Sequence, residues 1–241
     1  MSREKKRKSK KIMPLGEVRR ALGLYSSLSI RDRLAILARL IFCARPIMRV
    51  LKQHLPKRGL VLDLGCGYGF ISHLVSTESP DMAVMGIDAS SRRIRAARRS
   101  IDHKGNIEFH VADLKKAPIP QCDAVMLIDI LCMLPYEVQE RLLTRCYERL
   151  CDGGVLVVKD TCKSPYWKYA YVYVEDLLKA KLRVFGKEIE HSLCYWNVHN
   201  FLKLLGSIGF HTTMIPLESR LPYPGVFYIC KKQVQQGFQE R

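Results

Sequence analysis

No stretch of this 241-residue chain offers the roughly 20 consecutive apolar residues that carry a helix across a bilayer. No secretory apolar region opens it, and none of its nine cysteines forms a CxxC pair or has a histidine at zinc-finger spacing. These absences argue against a membrane-spanning protein, a disulfide scaffold and a structural metal site. The expected setting is cytoplasmic, with reduced thiols serving mostly as small apolar core residues and no metal bound. Beyond the first dozen residues there is neither low complexity nor an internal repeat. Acidic residues are scarce, 23 against 40 Lys and Arg.

That imbalance is local. The stretch through Lys52 holds 15 Lys and Arg against three acids, whereas the rest holds 25 against 20. "MSREKKRKSKK" repels itself too strongly to build a core, so residues 1–12 read as a basic disordered tail. It is either a solubilising tail or an attachment to anionic lipid or nucleic acid. Residues 13–57 read as an amphipathic helical extension. Ile30, Leu34, Leu37, Leu40, Ile41 and Ala44 recur at helical spacing among arginines, and Pro46 should kink or divide the helix. Such a helix either packs over its own domain as a lid or lies on a membrane surface. The body lacks a further basic stripe, and residues 233–241 read as a tail.

Between 58 and 232 short apolar runs alternate with amphipathic stretches. Strands are expected near 59–64, 83–87, 107–111, 122–128, 154–159, 210–215 and 225–231. Helices are expected near 70–77, 90–100, 136–150, 168–183 and 196–208. The alternation specifies an α/β, Rossmann-like domain with a mostly parallel sheet and helices on both faces.

The first strand runs out in "VLDLGCGYGF", residues 61–70. A dinucleotide loop would carry G-x-G-x-x-G. Here the pattern is Gly65-x-Gly67-x-Gly69, and Phe70 stands where the third glycine belongs. Asp63 would also repel a pyrophosphate. It suits a cationic ligand better, such as a sulfonium nucleoside whose amino-acid tail brings an ammonium group. Asp88 closes the second strand and can accept hydrogen bonds from ribose hydroxyls, although a dinucleotide site would want it too.

"VLDLGCGYG", Asp88, "VADL" and "CDGGVLVVKD" together resemble the successive motifs of class I S-adenosylmethionine-dependent methyltransferases, over about residues 59 to 231. The resemblance implies a seven-stranded sheet whose last strand, "YPGVFYICKK", runs antiparallel, and S-adenosyl-L-methionine as cofactor. It implies that Asp63, Gly65, Cys66, Gly67 and Gly69 hold the methionine moiety. Asp88 and Ala89 would take the ribose, and Ala112, Asp113 and Leu114 the adenine. Ile128 and Asp129 would stand near the mouth where donor and acceptor meet.

The acceptor is less legible. An Asn-Pro-Pro-Tyr-type motif is absent, and so is the cysteine pair of cytosine-modifying RNA enzymes. Cys132 and Met133 stand where many small-molecule relatives carry histidine. Tyr166, Trp167, Tyr169, Tyr171 and Tyr173 either wall an acceptor pocket or pack a helix on the sheet. His191, Tyr195 and Asp160 are the catalytic candidates; His191 leads because its ordinary pKa lies near neutrality. Arg220 and Tyr223 could reach the same rim. "LIDILCMLP", "SPYWK" and "LPYPGVFYI" resemble a bacterial subgroup acting on small molecules and lipids.

The first expectation is therefore methyl transfer to a hydrophobic small-molecule or lipid-like acceptor, with the basic N-terminus at an anionic membrane face. The alternative is an RNA or protein methyltransferase gripping an acidic polymer through its tail. A third reading, a cofactor-binding partner without turnover, sits poorly with intact Asp63 and Asp88.

Overall fold

The computed structural model describes residues 44–101, 106–161, 193–217 and 225–233, with isolated helical or turn positions between 23 and 37 and between 163 and 174. The basic tail and most of the 168–183 helix expected from sequence lie outside the described residues. So do Trp167, Tyr171, His191, Arg220 and Tyr223.

The elements are α1 (Arg45–His54), β1 (Gly59–Leu64), α2 (Phe70–Glu78), β2 (Met82–Asp88), α3 (Ser91–Arg99), β3 (Ile107–Val111) and β4 (Cys122–Ile128). A 3₁₀ turn (Leu131–Met133) follows, then α4 (Tyr136–Arg149), β5 (Leu150–Thr161), α5 (Val198–Ile208), β6 (Phe210–Pro216) and β7 (Gly225–Lys232). One seven-stranded sheet has the order β3-β2-β1-β4-β5-β7-β6. Strands β1 to β5 pair in parallel, and β7 runs antiparallel between β5 and β6. The chain steps outward from β1 to β3 and then returns to β4 beside β1. The sheet therefore switches direction between β1 and β4, and the carboxyl ends of those strands flank a natural ligand crevice.

Both sheet faces are covered, which is why the central strands read as unbroken apolar runs. Ile47 and Leu51 of α1, Phe70 and Val75 of α2, and Ile94 and Ala97 of α3 build one core layer with Val61, Val84, Met126 and Val157. Leu142, Leu143 and Cys146 of α4, with Phe201 and Leu205 of α5, build the other with Leu62, Val125 and Leu156. Pro46 occupies the first turn of α1, where its missing N–H costs nothing. The described part of the extension thus packs on its own domain. Cys122, Cys132, Cys146 and Cys230 are buried as small apolar residues.

Two elements differ by more than one residue from the sequence expectation. β5 begins at Leu150 rather than 154, because "CDGG" makes an excursion within the strand instead of a turn before it. Cys122 pairs with Leu150 but Ala124 with Val155. α5 starts at Val198, where Asn197 caps it by accepting from the His199 N–H at 2.9 Å.

Candidate active site

The glycine loop leaves β1 at the switch point. Gly65, Gly67 and Gly69 all have positive φ, at 82°, 58° and 73°, a region that costs other residues about 1 kcal/mol or more. Their surroundings differ. A Cβ on Gly65 would strike the Ile130 side chain, and one on Gly69 would strike the Phe109 ring. A Cβ on Gly67 would meet nothing within 4 Å. Open space above a bare backbone at the loop's apex is what a closely approaching ligand requires.

The loop is held by β2. The N–H groups of Gly65 and Cys66 donate to the Ile87 carbonyl at 2.7 and 3.1 Å. Asp88 accepts from the Gly67 N–H with one carboxylate oxygen and from the Ser90 N–H with the other, each at 2.9 Å. The helix cap is Ser90, whose hydroxyl accepts from the Arg93 N–H, so Asp88 serves the loop rather than the helix. Each carboxylate oxygen has a second lone pair for a ligand hydroxyl. Asp63, 2 % exposed, lies beneath the loop and accepts from the Ser72 hydroxyl at 2.5 Å. Burial, then Asp63 and Asp88, push the Cys66 thiol well above its ordinary pKa, so it stays protonated.

Asp113 stands exposed after β3, its carboxylate accepting from the Lys115 N–H at 3.0 Å. Ala112 is tied to β2 through the Asp88 carbonyl at 3.1 Å, and Ala89 is exposed beside it. Ile128 and Leu114 are buried, one in each core layer. At the end of β4, Asp129 takes φ 58°, the one non-glycine residue with positive φ among those described. Its carboxylate pairs with the buried Lys159 ammonium from the end of β5.

Asp160, next on β5, accepts from the Thr161 N–H at 2.7 Å and from the Cys132 N–H of the 3₁₀ turn at 3.2 Å. Burial, reinforced by Asp129, pushes its carboxyl up to about 7. Tyr195 is 2 % exposed and packs edge-on against Tyr169, ring centres 5.5 Å apart. Tyr173, beside them, is exposed, and Tyr166 projects further into solvent. Tyr195 therefore belongs to an aromatic wall. Cys194 donates its N–H to the Cys132 carbonyl at 2.8 Å, which joins that wall to the turn that touches Asp160.

The segment bearing Tyr195 depends on Gln139 of α4, which is fully buried. Its amide donates to the Leu134 and Cys194 carbonyls at 2.8 and 3.1 Å and accepts from the Trp196 indole N–H at 2.6 Å. Gln139→Ala should cost about 2–3 kcal/mol, since three partly buried partners lose a bond worth roughly 1 kcal/mol each. Thermal unfolding measures the loss, and faster amide exchange across 193–197 should accompany it.

Comparison with known proteins accords with this geometry. A family model described as "Methyltransferase domain" matches residues 61–154. Residues 61–154 thus match a methyltransferase domain, and the fold is one shared with solved S-adenosylmethionine-dependent methyltransferases. The Carboxy-S-adenosyl-L-methionine synthase of Campylobacter curvus is 31% identical over 130 residues, 54% of this chain and 56% of that protein. Phosphoethanolamine N-methyltransferase 3 of Arabidopsis thaliana is 34% identical over 106 residues, 44% of this chain. The match spans just over half the length of the first relative and 21% of the second. An O-methyltransferase family protein from Burkholderia thailandensis shares the fold of the methyltransferase domain, with TM-score 0.65 and 18% identity over 92% of this chain and 68% of that one.

In this domain the strand-end acids, the three glycines and Asp160 converge on one rim. Sequence reasoning missed Ser72, Ile130 and the Lys159–Asp129 pair. Ser72 and Ile130 carry no motif and matter only through the folded loop. The pair is visible in sequence only as two charged residues at neighbouring strand ends.

Proposed function

We propose that this chain transfers a methyl group from S-adenosyl-L-methionine to a hydrophobic small-molecule or lipid-like acceptor. The observation that carries the donor half is the Gly67 apex, open above and held from below by Asp88. The residues fit the donor. Asp88 would take the ribose hydroxyls through its remaining lone pairs, Asp113 the adenine amino group, and Asp63 the ammonium through the loop. The donor, when bound, supplies an activated methyl on a sulfonium. The protein then needs to align an acceptor and exclude water. Tyr169, Tyr173 and Tyr195 offer an apolar wall for the acceptor beside the ends of β4 and β5. His191, outside the described residues, keeps its place as a candidate base.

An anionic membrane face would suit a lipid-like acceptor, with the basic N-terminus as the attachment. No helix among the described residues is long and apolar enough to cross a membrane. The structure also supplies a basic strip that overall charge counting hid. α3 has five arginines and no acid, and Arg92, Arg95 and Arg99 lie exposed at positions i, i+3 and i+7. The same strip supports the second reading, a polyanionic acceptor such as RNA.

Isothermal titration with S-adenosylmethionine tests the donor half, and binding in the micromolar range is expected. Incubation of the full chain with labelled donor and either lipid extract or total RNA tests the acceptor. The label should enter the lipid fraction. Flotation with vesicles of phosphatidylcholine and phosphatidylglycerol, beside RNA gel shifts at two salt concentrations, separates the attachments. Label and binding confined to RNA would overturn the lipid reading.

A further inference from the structure

We propose that Asp160 receives the proton shed by the methyl acceptor, and hence that the acceptor is methylated on a hydroxyl oxygen. This rests on the methyltransferase reading above and names the chemistry of its second substrate.

The argument begins with placement. Asp160 lies at the carboxyl end of β5, one position past the Ile128–Lys159 register pair, level with the mouth beside β4. Its carboxylate is fixed from two sides, by the Thr161 N–H on one oxygen and the Cys132 N–H on the other. Each oxygen keeps a lone pair. The neighbouring Lys159 offsets burial and Asp129 only in part, its ammonium being paired with Asp129. Among the described residues the groups acting on Asp160 are Asp129 from β4, Lys159 from β5 and the backbone N–H groups of Thr161 and Cys132, and Cys194 is one step further away, against the Cys132 carbonyl. Val226, its register partner on β7, carries no charge. A second carboxylate and a desolvated site favour the protonated form, and burial with Asp129 brings the group to about 7, where a carboxyl can take and release a proton at physiological pH.

The surroundings select the acceptor. The wall of Tyr169, Tyr173 and Tyr195 is apolar and ring-bearing, and it connects through Cys194 and Cys132 to Asp160. A molecule seated there would present an apolar body to the rings and a hydroxyl to the carboxylate. In the transfer, the acceptor oxygen forms a bond to the methyl carbon while the sulfur–methyl bond breaks. The bonding pair stays on sulfur, which leaves as a neutral thioether, and the hydroxyl proton passes to Asp160. The step balances without an oxidant or a metal.

A carboxylate that only pinned the 3₁₀ turn would leave the pH dependence of turnover unchanged, and this separates the two roles. In full-length protein labelled with ¹³C at aspartate carboxyls, one resonance should titrate near 7 and vanish in Asp160→Asn. With labelled donor and lipid extract, turnover should rise with pH through the same midpoint, and Asp160→Asn should lose at least tenfold and flatten that limb. Because the asparagine could disturb the turn, Asp129→Asn provides the second arm. It removes the like charge, so the limb should move to lower pH. Mass fragmentation should place the methyl on oxygen. Donor binding by calorimetry is measured in parallel. Loss of donor binding in the wild-type chain would defeat the methyltransferase reading itself. Intact donor binding with an unshifted limb in both variants, or a methyl on nitrogen or carbon, would overturn the role of Asp160.

Discussion

Asp88→Ala should lower affinity for S-adenosylmethionine by more than about a hundredfold, because at least two charge-assisted bonds worth roughly 1.5–3 kcal/mol each are lost. One set would go to the ribose. The other is internal: the Gly67 and Ser90 N–H groups both end on this carboxylate. Without it the apex of the loop loses its tether, so the ligand must order the loop as well as bind it. Asp88→Asn retains one acceptor oxygen and should fall between the two. Titration calorimetry reads both, and an alanine variant with wild-type affinity would remove Asp88 from the cofactor site.

The comparison with Asp63 is instructive because the sequence alone suggests that Asp63→Ala would abolish donor binding and leave the fold intact. The structure revises the second half. Asp63 is buried and takes the hydroxyl of Ser72, which is itself fully enclosed in α2. Removing the carboxylate orphans that hydroxyl at a cost of about 1–3 kcal/mol. Asp63→Asn, which keeps an acceptor for Ser72, is therefore the cleaner probe of ligand charge. It should weaken the donor while changing the melting temperature less than alanine does.

These two acids also show what a sequence can disclose. β1 and β4 begin and end where the apolar runs do, because strands buried on both faces are written as continuous Val, Leu, Ile and Met bounded by Gly, Pro and Asp. Acids at strand tips are legible for the same reason: an ionisable group closing an apolar run needs a partner or a ligand. What stayed hidden depends on tertiary approach. Ile130 reads as one more apolar residue after β4, yet its side chain sits against the first turn of the glycine loop. Lys159 and Asp129 are 30 residues apart and meet only because β4 and β5 are neighbours. Tyr195 reads as a polar catalytic candidate, and that its ring packs edge-on against Tyr169 shows only in the folded chain. The start of β5 was obscured because "CDGG" has the composition of a turn while its backbone continues the strand.

The three loop glycines should separate under alanine substitution, since the same φ requirement meets three different environments. Gly69→Ala places a Cβ against Phe109 and Ala97 at the start of α2, with φ 73°. Left-handed strain of about 1–2 kcal/mol and overpacking of about 1–3 kcal/mol should together lower stability by several kcal/mol. Phe109 is buried and cannot swing aside. Gly65→Ala should behave similarly but more mildly, because Ile130 is only half-buried after β4 and has room to change rotamer. Gly67→Ala carries the backbone strain alone, with no neighbour within 4 Å, so it should unfold within about 1–2 kcal/mol of wild type. Its effect should fall on the ligand instead. The new methyl would project from the apex into the space the donor must enter, and donor affinity should drop by more than about tenfold, as burying a clash in place of a contact costs 1.4 kcal/mol or more. Thermal melts and calorimetry on the same three proteins give the pattern. Gly69→Ala should be unstable, and Gly67→Ala should be stable but weak in binding. A Gly67→Ala protein that is both stable and wild-type in donor affinity would mean that the open space above the loop is not where S-adenosylmethionine lies.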